Sequence, residues 1–326
     1  MRRPNSEGPR RPGTVDEFAL IGLLRERFRR GGVPLVPGDL GIGDDAAAVT
    51  PRHGGRMVLS TDLVVEGVHV DLAVSTPEDV GWKALMVTVS DLAAMGAAAD
   101  YVLLSVAAPP GFDVERLADG VADASGICGC AVVGGDLSAA AVLVVSVAAV
   151  GSVPDDGHAA LRRGGARPGD ALFVTGPLGA SAAGLRLLGG DAATGPVPSG
   201  PSAAHRRPVA RLREGDAARR SGATAAVDVS DGLVVDVVHL AEASGVGLAL
   251  AVGDDAVAGG ATRDEALTGG EDYELVLATG DPDALRAGFA AEGLRTPVPI
   301  GRCTEAAGVF TLDGGELPAG GWHHRF

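Results

Sequence analysis

The chain has 326 residues, a length that suits two compact domains better than one. An apolar fraction of 46% excludes a disordered protein, and aromatics at 3% mean that the cores are built from Val, Leu and Ala. Forty-two acids against 27 Lys and Arg give a net charge of −15, which excludes a bulk binder of nucleic acid or of anionic membrane, because such a surface repels phosphate.

Only one basic residue is a lysine, Lys83, and it follows Trp82. A GxxxxGK[ST] phosphate loop and the VAIK lysine of protein kinases are therefore both absent. A lysine that survives so strong a preference for Arg suggests a place where a guanidinium does not fit; the plainer alternative is a snorkelling helix residue. The cysteines, Cys128, Cys130 and Cys303, form no CxxC pair and no Cys/His zinc spacing, which points to a reducing compartment and a cytoplasmic protein. The longest uncharged stretch, Leu137–Pro154, is shorter than the ~20 apolar residues of a spanning helix and reads as a buried strand.

In chain order, residues 1–13 read as a flexible tail, and Thr14–Glu17 as a capping box before a helix with Phe18, Ile21, Leu24 and Phe28 on one face. Met57–Ser60 and Val64–Val70 read as two short strands. Thr76-Pro77-Glu78-Asp79 opens a helix expected to run to Met95 and to stop at Gly96. Strands are expected at Tyr101–Ala107, Ala131–Val133 and Ala141–Val150, with a helix at Val114–Ser125. Gly151–Gly169 is poor in apolar residues and marks a boundary between domains at 14–155 and 156–326. Beyond it, strands are expected at Ala171–Thr175, Ala225–Val229, Gly247–Val252, Tyr273–Ala278 and Pro297–Gly301. Helices are expected at Gly179–Leu188 and Gly232–Ala243, and Gly189–Ala204 reads as a loop. Strands and helices alternate in both halves, so the class is α/β or α+β.

The aspartates sit in an unusual pattern. They follow short apolar runs and lie beside Gly or Ser: Gly43-Asp44-Asp45, Ser60-Thr61-Asp62, Ser90-Asp91, Gly134-Gly135-Asp136 and Asp228-Val229-Ser230-Asp231-Gly232. Carboxylates at strand ends face the crevice where α/β folds bind ligands. Several of them converging there would repel one another unless cations bridged them, and hard oxygen ligands suit Mg2+ on phosphates. Any one motif alone is more often a turn or a helix cap, and Asp231 could be only an N-cap; five together favour a multi-metal site. Gly41–Ala46 also matches GxGxx[GA], but no clear strand precedes it and two carboxylates would face the pyrophosphate, so a dinucleotide site is rejected. His69 alone reads as structural, Gly269–Tyr273 as a loop near a strand, and His323-His324 as too short for a metal motif. Gly176–Gly179 reads either as helix-terminal amides open to an anion or as a tight turn.

The strings Gly41–Ala46, Ser60-Thr-Asp-Leu-Val-Val-Glu-Gly-Val-His69, Ser90–Gly96, Gly134–Asp136, Val174–Pro177, Asp228–Leu233 and Gly269–Leu275 resemble those of bacterial thiamine-monophosphate kinases, in family order. Several are shared with aminoimidazole-ribonucleotide synthetase, selenophosphate synthetase and a hydrogenase-maturation ATPase; STD…EGVH and GGEDYEL point to the thiamine family. The resemblance implies a two-domain α/β fold whose N-terminal domains pair in a homodimer with joined sheets, and whose C-terminal domain packs helices on a second sheet. It implies direct phosphoryl transfer from ATP to thiamine monophosphate without a phosphoenzyme. By motif, Asp45, Ser60, Thr61, Asp62, Asp91, Asp136, Asp228 and Asp231 would hold several Mg2+ ions. Gly135, Asp136, Arg163 and Ser230 would meet ATP, and His69, Glu271 and Trp322 the thiamine substrate. K+ is left open. Leu137 stands where the family usually carries Thr, and the tail around Trp322 is one residue longer than its pattern. The alternatives are another ATP-using member acting on a different small substrate, or a non-catalytic nucleotide-binding partner. Residues 1–40 lack the Cys and Lys of selenophosphate synthetase, and the chain does not end in the Cys of the hydrogenase-maturation enzyme.

Overall fold

A computed structural model of the chain describes residues 17–43, 46–189 and 200–322. Its first part contains α1 (Glu17–Gly31), β1 (Arg56–Val65), α2 (Pro77–Ala94), β2 (Ala98–Ala108), α3 (Val114–Cys128), β3 (Ala131–Ala139) and β4 (Val144–Val153). The second part runs β5 (Ala171–Val174), α4 (Ala180–Leu188), α5 (Pro201–Arg206), α6 (Leu212–Arg220), β6 (Ala225–Asp228), α7 (Leu233–Ser244), β7 (Gly247–Leu250) and α8 (Arg263–Thr268). It ends with β8 (Leu275–Thr279), α9 (Pro282–Ala291), β9 (Val298–Thr304), β10 (Phe310–Leu312) and β11 (Gly315–Glu316).

The first sheet has the order β1-β4-β2-β3, antiparallel except for the parallel β2–β3 pair. Two expectations change here. The segments 57–60 and 64–70 are one strand to Val65, because β1 pairs with β4 without a break from Arg56↔Val153 to Val65↔Val144; Ser60, Thr61 and Asp62 keep their ladder partners despite their polarity. The chain then turns, the amide of Gly67 donating to the carbonyl of Val70. Likewise β3 continues through Gly134-Gly135-Asp136, so this motif lies inside a strand and not beyond its end. Gly135 has φ 156°, and a Cβ there would stand 1.7 Å from the Leu104 carbonyl oxygen, so close pairing with β2 requires glycine.

The second sheet runs β11-β10-β7-β9-β5-β8-β6. Period-2 alternation puts Leu172, Val174 and Val227 on a face covered by α7, and Phe173, Ala226 and Leu277 on a face covered by α6 and α9. The helices α5 and α8 and the strands β10 and β11 are too short to show a period, and α6 and α9 have no counterpart among the expected elements although both are amphipathic.

Helix α2 joins the two halves. Thr76 caps it in a full capping box with Asp79, and 13 of its 18 residues are buried, so it has no solvent face. Val80, Leu85, Met86 and Leu92 belong to the core under the first sheet, whereas Ala93 belongs to the core of Phe173 and Phe289 under the second. The opposite face of the first sheet is different: Met57, Leu59, Leu63 and Leu103 are 41–68% exposed there.

Candidate active site

The C-terminal turn of α2 brings the aspartate motifs of both halves together. Alternation along β1 points Ser60 and Asp62 toward α2. Ser60 Oγ donates to Asp91 Oδ2 on α2, and the neighbouring Ser90 Oγ donates to Asp228 Oδ2 at the end of β6, 2.7 Å away. A cavity of about 230 Å3 opens beside them, with Ser60, Asp91, Arg163 and Asp228 in its wall and Val58 and Met95 as its apolar side.

The electrostatics follow from this placement. Burial, and then the charge of Asp91, push the Asp62 carboxyl up to about 6. Asp228, 4% exposed, is pushed up to about 6 by burial and by Asp91, while Ser90 and the Arg163 guanidinium pull the other way. The group is all oxygen, anionic and self-repelling, which fits a hard divalent cation. Among the described residues, no three His, Cys, Asp or Glu side chains by themselves form an ion-binding group. Water and phosphate oxygens would therefore have to complete such a shell.

The other residues expected at the site are placed variously. Thr61 alternates onto the opposite, exposed face of β1. Gly135 and Asp136 stand exposed on β3, at the other edge of the sheet from β1. Asp45 lies outside the described residues, as do His323 and His324. Arg163 is exposed and borders the cavity. Ser230 and Asp231 are half-buried in the turn before α7. Asp231 is not the cap of that helix: Asp236, one turn in, accepts the amides of Ser230, Asp231 and Gly232 at 3.0, 3.0 and 3.1 Å. Burial lifts Asp236 to about 7 despite these bonds. Trp322 is half exposed, and its amide donates to the Asp231 carbonyl at 2.9 Å, which ties the tail to this turn.

The Gly269–Tyr273 loop lies against the same turn. The amide of Glu271 donates to Ser230 O and that of Tyr273 to Val229 O, and a Cβ on Gly270 would stand 2.5 Å from Ser230 O. Glu271 and Tyr273 have φ of 65° and 51°, left-handed backbone that is costly for a bulky side chain and is concentrated at functional sites. Between them Asp272 takes the amides of Gly179 and Ser181 at 2.6 and 3.1 Å. These amides at the start of α4 are thus spent within the chain, and the tight-turn reading of Gly176–Gly179 holds over an open anion site.

His69 and Glu271, from opposite ends of the sequence, meet at one ammonium group. Lys83 Nζ lies 2.5 Å from Glu271 Oε1 and donates to the His69 carbonyl at 3.1 Å. The His69 ring is held through Nδ1, which accepts the Val65 amide at 3.1 Å. Lys83 is 2% exposed, so it does not snorkel. Asp236, Asp272 and His205, which lies 3.4 Å from Glu271 Oε2, were missed from sequence. For Asp236 a signal exists: an acid in the first helical turn after a Gly is placed to satisfy open amides.

Two family models match the chain: the AIR synthase related protein N-terminal domain over residues 43–153, and the C-terminal domain over residues 167–313. They define the class, a two-domain protein of the AIR synthase related type. The thiamine-monophosphate kinase of Mycobacterium tuberculosis (strain ATCC 25618 / H37Rv) is 38% identical over 323 residues, covering 94% of this chain and 91% of the relative. A crystal structure of thiamine-monophosphate kinase from Stenotrophomonas maltophilia K279a superposes with a TM-score of 0.77 at 33% identity, over 92% of this chain and 98% of that one. A structure of AaThiL complexed with AMPPCP and TMP superposes with a TM-score of 0.71 at 31% identity, over 95% and 97%. The chain belongs to the thiamine-monophosphate kinase family.

Proposed function

We propose that this protein transfers the γ-phosphoryl group of ATP to thiamine monophosphate, giving ADP and thiamine diphosphate. The observation that carries the reading is the meeting of Ser60, Asp62, Asp91 and Asp228 beside a cavity that also holds Arg163. The AaThiL structure with AMPPCP and TMP, similar over 95% of this chain, supports the same pair of ligands.

Phosphoryl transfer asks a protein mainly for positioning and for neutralisation of charge. Bound at the Asp62, Asp91 and Asp228 oxygens, Mg2+ would supply that neutralisation. Asp231 carries a further carboxylate on the turn that Asp236 shapes, Asp45 and Asp136 join the proposal on their motifs, and Thr61 joins it by its motif alone, its side chain facing the other side of β1. Arg163 offers fixed positive charge at the cavity, and Ser230 and Gly135 would contact the nucleotide. His69, Glu271 and Trp322 would hold the acceptor, whose phosphate oxygen forms the new P–O bond as the β,γ-bridging bond breaks and ADP leaves. No side chain needs to carry the phosphoryl group.

The open apolar face of Met57, Leu59, Leu63 and Leu103 supports a homodimer built on the first sheets; the double substitution Leu59→Asp, Leu63→Asp should yield monomers by sedimentation. Three free thiols, two of them buried, support a reducing, cytoplasmic setting. Among the described residues no helix is long and apolar enough to cross a membrane.

The deciding experiment is ADP release with Mg2+, with and without thiamine monophosphate, with product identification. Release that ignores the acceptor favours an ATPase acting on another substrate, and nucleotide binding without release favours a non-catalytic partner. Turnover compared in Na+ and K+ buffers decides whether K+ takes part.

A further inference from the structure

The middle of α2 carries a second charged junction that the metal reading does not use. Lys83 sits in the N-terminal half and reaches Glu271 of the C-terminal half at 2.5 Å. Its second bond goes to the carbonyl of His69 at 3.1 Å. The other oxygen of Glu271 lies 3.4 Å from His205 Nδ1, and that ring nitrogen is 3.1 Å from Ser181 Oγ. The ammonium is almost fully enclosed, whereas the Glu271 side chain keeps 26% of its surface accessible.

A purely stabilising contact is a poor explanation for this arrangement. A buried ammonium–carboxylate pair is often no better than apolar residues of equal volume. Here the carboxylate is moreover presented by a residue with φ 65°, next to a tyrosine with φ 51°. Strained backbone persists where the surroundings enforce a particular presentation. The choice of cation is equally pointed: the chain uses Arg throughout and Lys once. A compact ammonium can donate to a carboxylate and a backbone carbonyl in an enclosed pocket, where a planar guanidinium needs more room.

The pairing also determines what Glu271 can recognise. A carboxylate already matched by an ammonium 2.5 Å away has little charge left for a second cation. Its accessible edge still accepts hydrogen bonds. We propose that Lys83 is a positioning residue that fixes Glu271 as a hydrogen-bond acceptor for the amino group of the acceptor's heterocycle, so that the pocket selects a neutral amino-heterocycle and not positive charge as such. This rests on the assignment of Glu271 to the acceptor site.

The test measures affinity by calorimetry for thiamine monophosphate and for its analogue lacking the pyrimidine amino group, in wild type, Lys83→Met, Glu271→Gln and the double variant. Wild type should prefer the amino compound by at least about tenfold, as a site built around a hydrogen bond does. Each single variant should reduce that preference to within about threefold, and the double variant should lose no more than either single one, because both remove the same contact. ATP affinity should stay within about twofold of wild type in all three, since the contact is not with the nucleotide. Should Lys83→Met fail to fold, Lys83→Arg, whose planar guanidinium cannot make the same two contacts in that enclosure, should show the same reduced preference. Wild-type discrimination in any folded variant lacking Lys83, or equal binding of both compounds by wild type, overturns the inference. A wild type that neither binds nor phosphorylates thiamine monophosphate overturns the functional assignment itself, a distinguishable result.

Discussion

The two ends of helix α2 solve the same problem in opposite ways. At its N-terminal end Asp79, 1% exposed, is held by Arg206 and Arg207 from the C-terminal half, the Arg207 contact measuring 2.7 Å. Arg207 lies 5.5 Å over the Trp82 ring, whose Nε1 donates to Pro208 O at 2.6 Å. The carboxylate is matched within the chain, and the junction is a latch. At the C-terminal end Asp91 meets Asp62 of its own half and Asp228 from across the divide, and the Arg163 guanidinium and the Ser90 hydroxyl oppose their charge at Asp228. The first junction is matched as folded; on the function proposed above, a cation would complete the second. A buried charge matched by its own chain holds structure, whereas a buried charge left unmatched marks where a ligand is expected.

The sharpest way to break this contrast is at the acidic end. Asp91→Asn, or excess EDTA on wild type, should lower kcat by at least about 10²–10³-fold, the scale set by losing one element of transition-state charge stabilisation. The same variant without metal should melt no lower than wild type, because a repelling carboxylate has been removed; a substantial loss of Tm would make Asp91 structural. At the latch the pattern should invert. Asp79→Ala leaves Arg206 buried without its carboxylate and should destabilise by about 3–5 kcal/mol in denaturant melts, with kcat of the folded protein near wild type.

Asp62 and Asp228 titrate near 6 in the folded chain against an ordinary value of 3.8. Their protonation favours folding below about 3.8, and this contribution is lost as pH rises through about 6. Asp236 and Asp272, near 7, act in the same sense. His205, pushed down from 6.5 to about 4 by burial and by Lys83, acts oppositely: its contribution is present above 6.5 and is lost as pH falls toward about 4. Four carboxylates outweigh one imidazole, so metal-free protein should gain on the order of 1–3 kcal/mol between pH 7.5 and 5.5. Saturating Mg2+ should flatten the share due to Asp62 and Asp228, and an unchanged slope would remove them from the ion site.

The smallest effect is expected on the same helix. Glu78 faces Arg116 of α3 at 2.6 Å, but Arg116 is half exposed. Arg116→Ala should cost less than about 1 kcal/mol in the same melts, because solvent screens the pair. A larger loss would mean that exposure does not separate the junctions of α2.

Much was legible in the sequence, because it rests on local rules. Thr76-Pro77-Glu78-Asp79 announces α2 through cap chemistry alone, and the Gly- and Ser-flanked aspartates announce an oxygen-rich site through their composition. The β1 segment shows the limit: its polar Ser60-Thr61-Asp62 looks like a break between strands, and only continuous pairing with β4 makes it one strand. The single Lys in an Arg-rich chain is conspicuous in the sequence, but its partner 188 positions away is not. Nor does the sequence separate Thr61 from Ser60 and Asp62, since this follows from a strand face in three dimensions. Propensity, caps and residue types act between near neighbours, so the order of residues already shows which chemistry the chain carries. Which charges are matched and which are left open depends on burial and on contacts between distant segments, and so emerges only when those segments are brought together around α2.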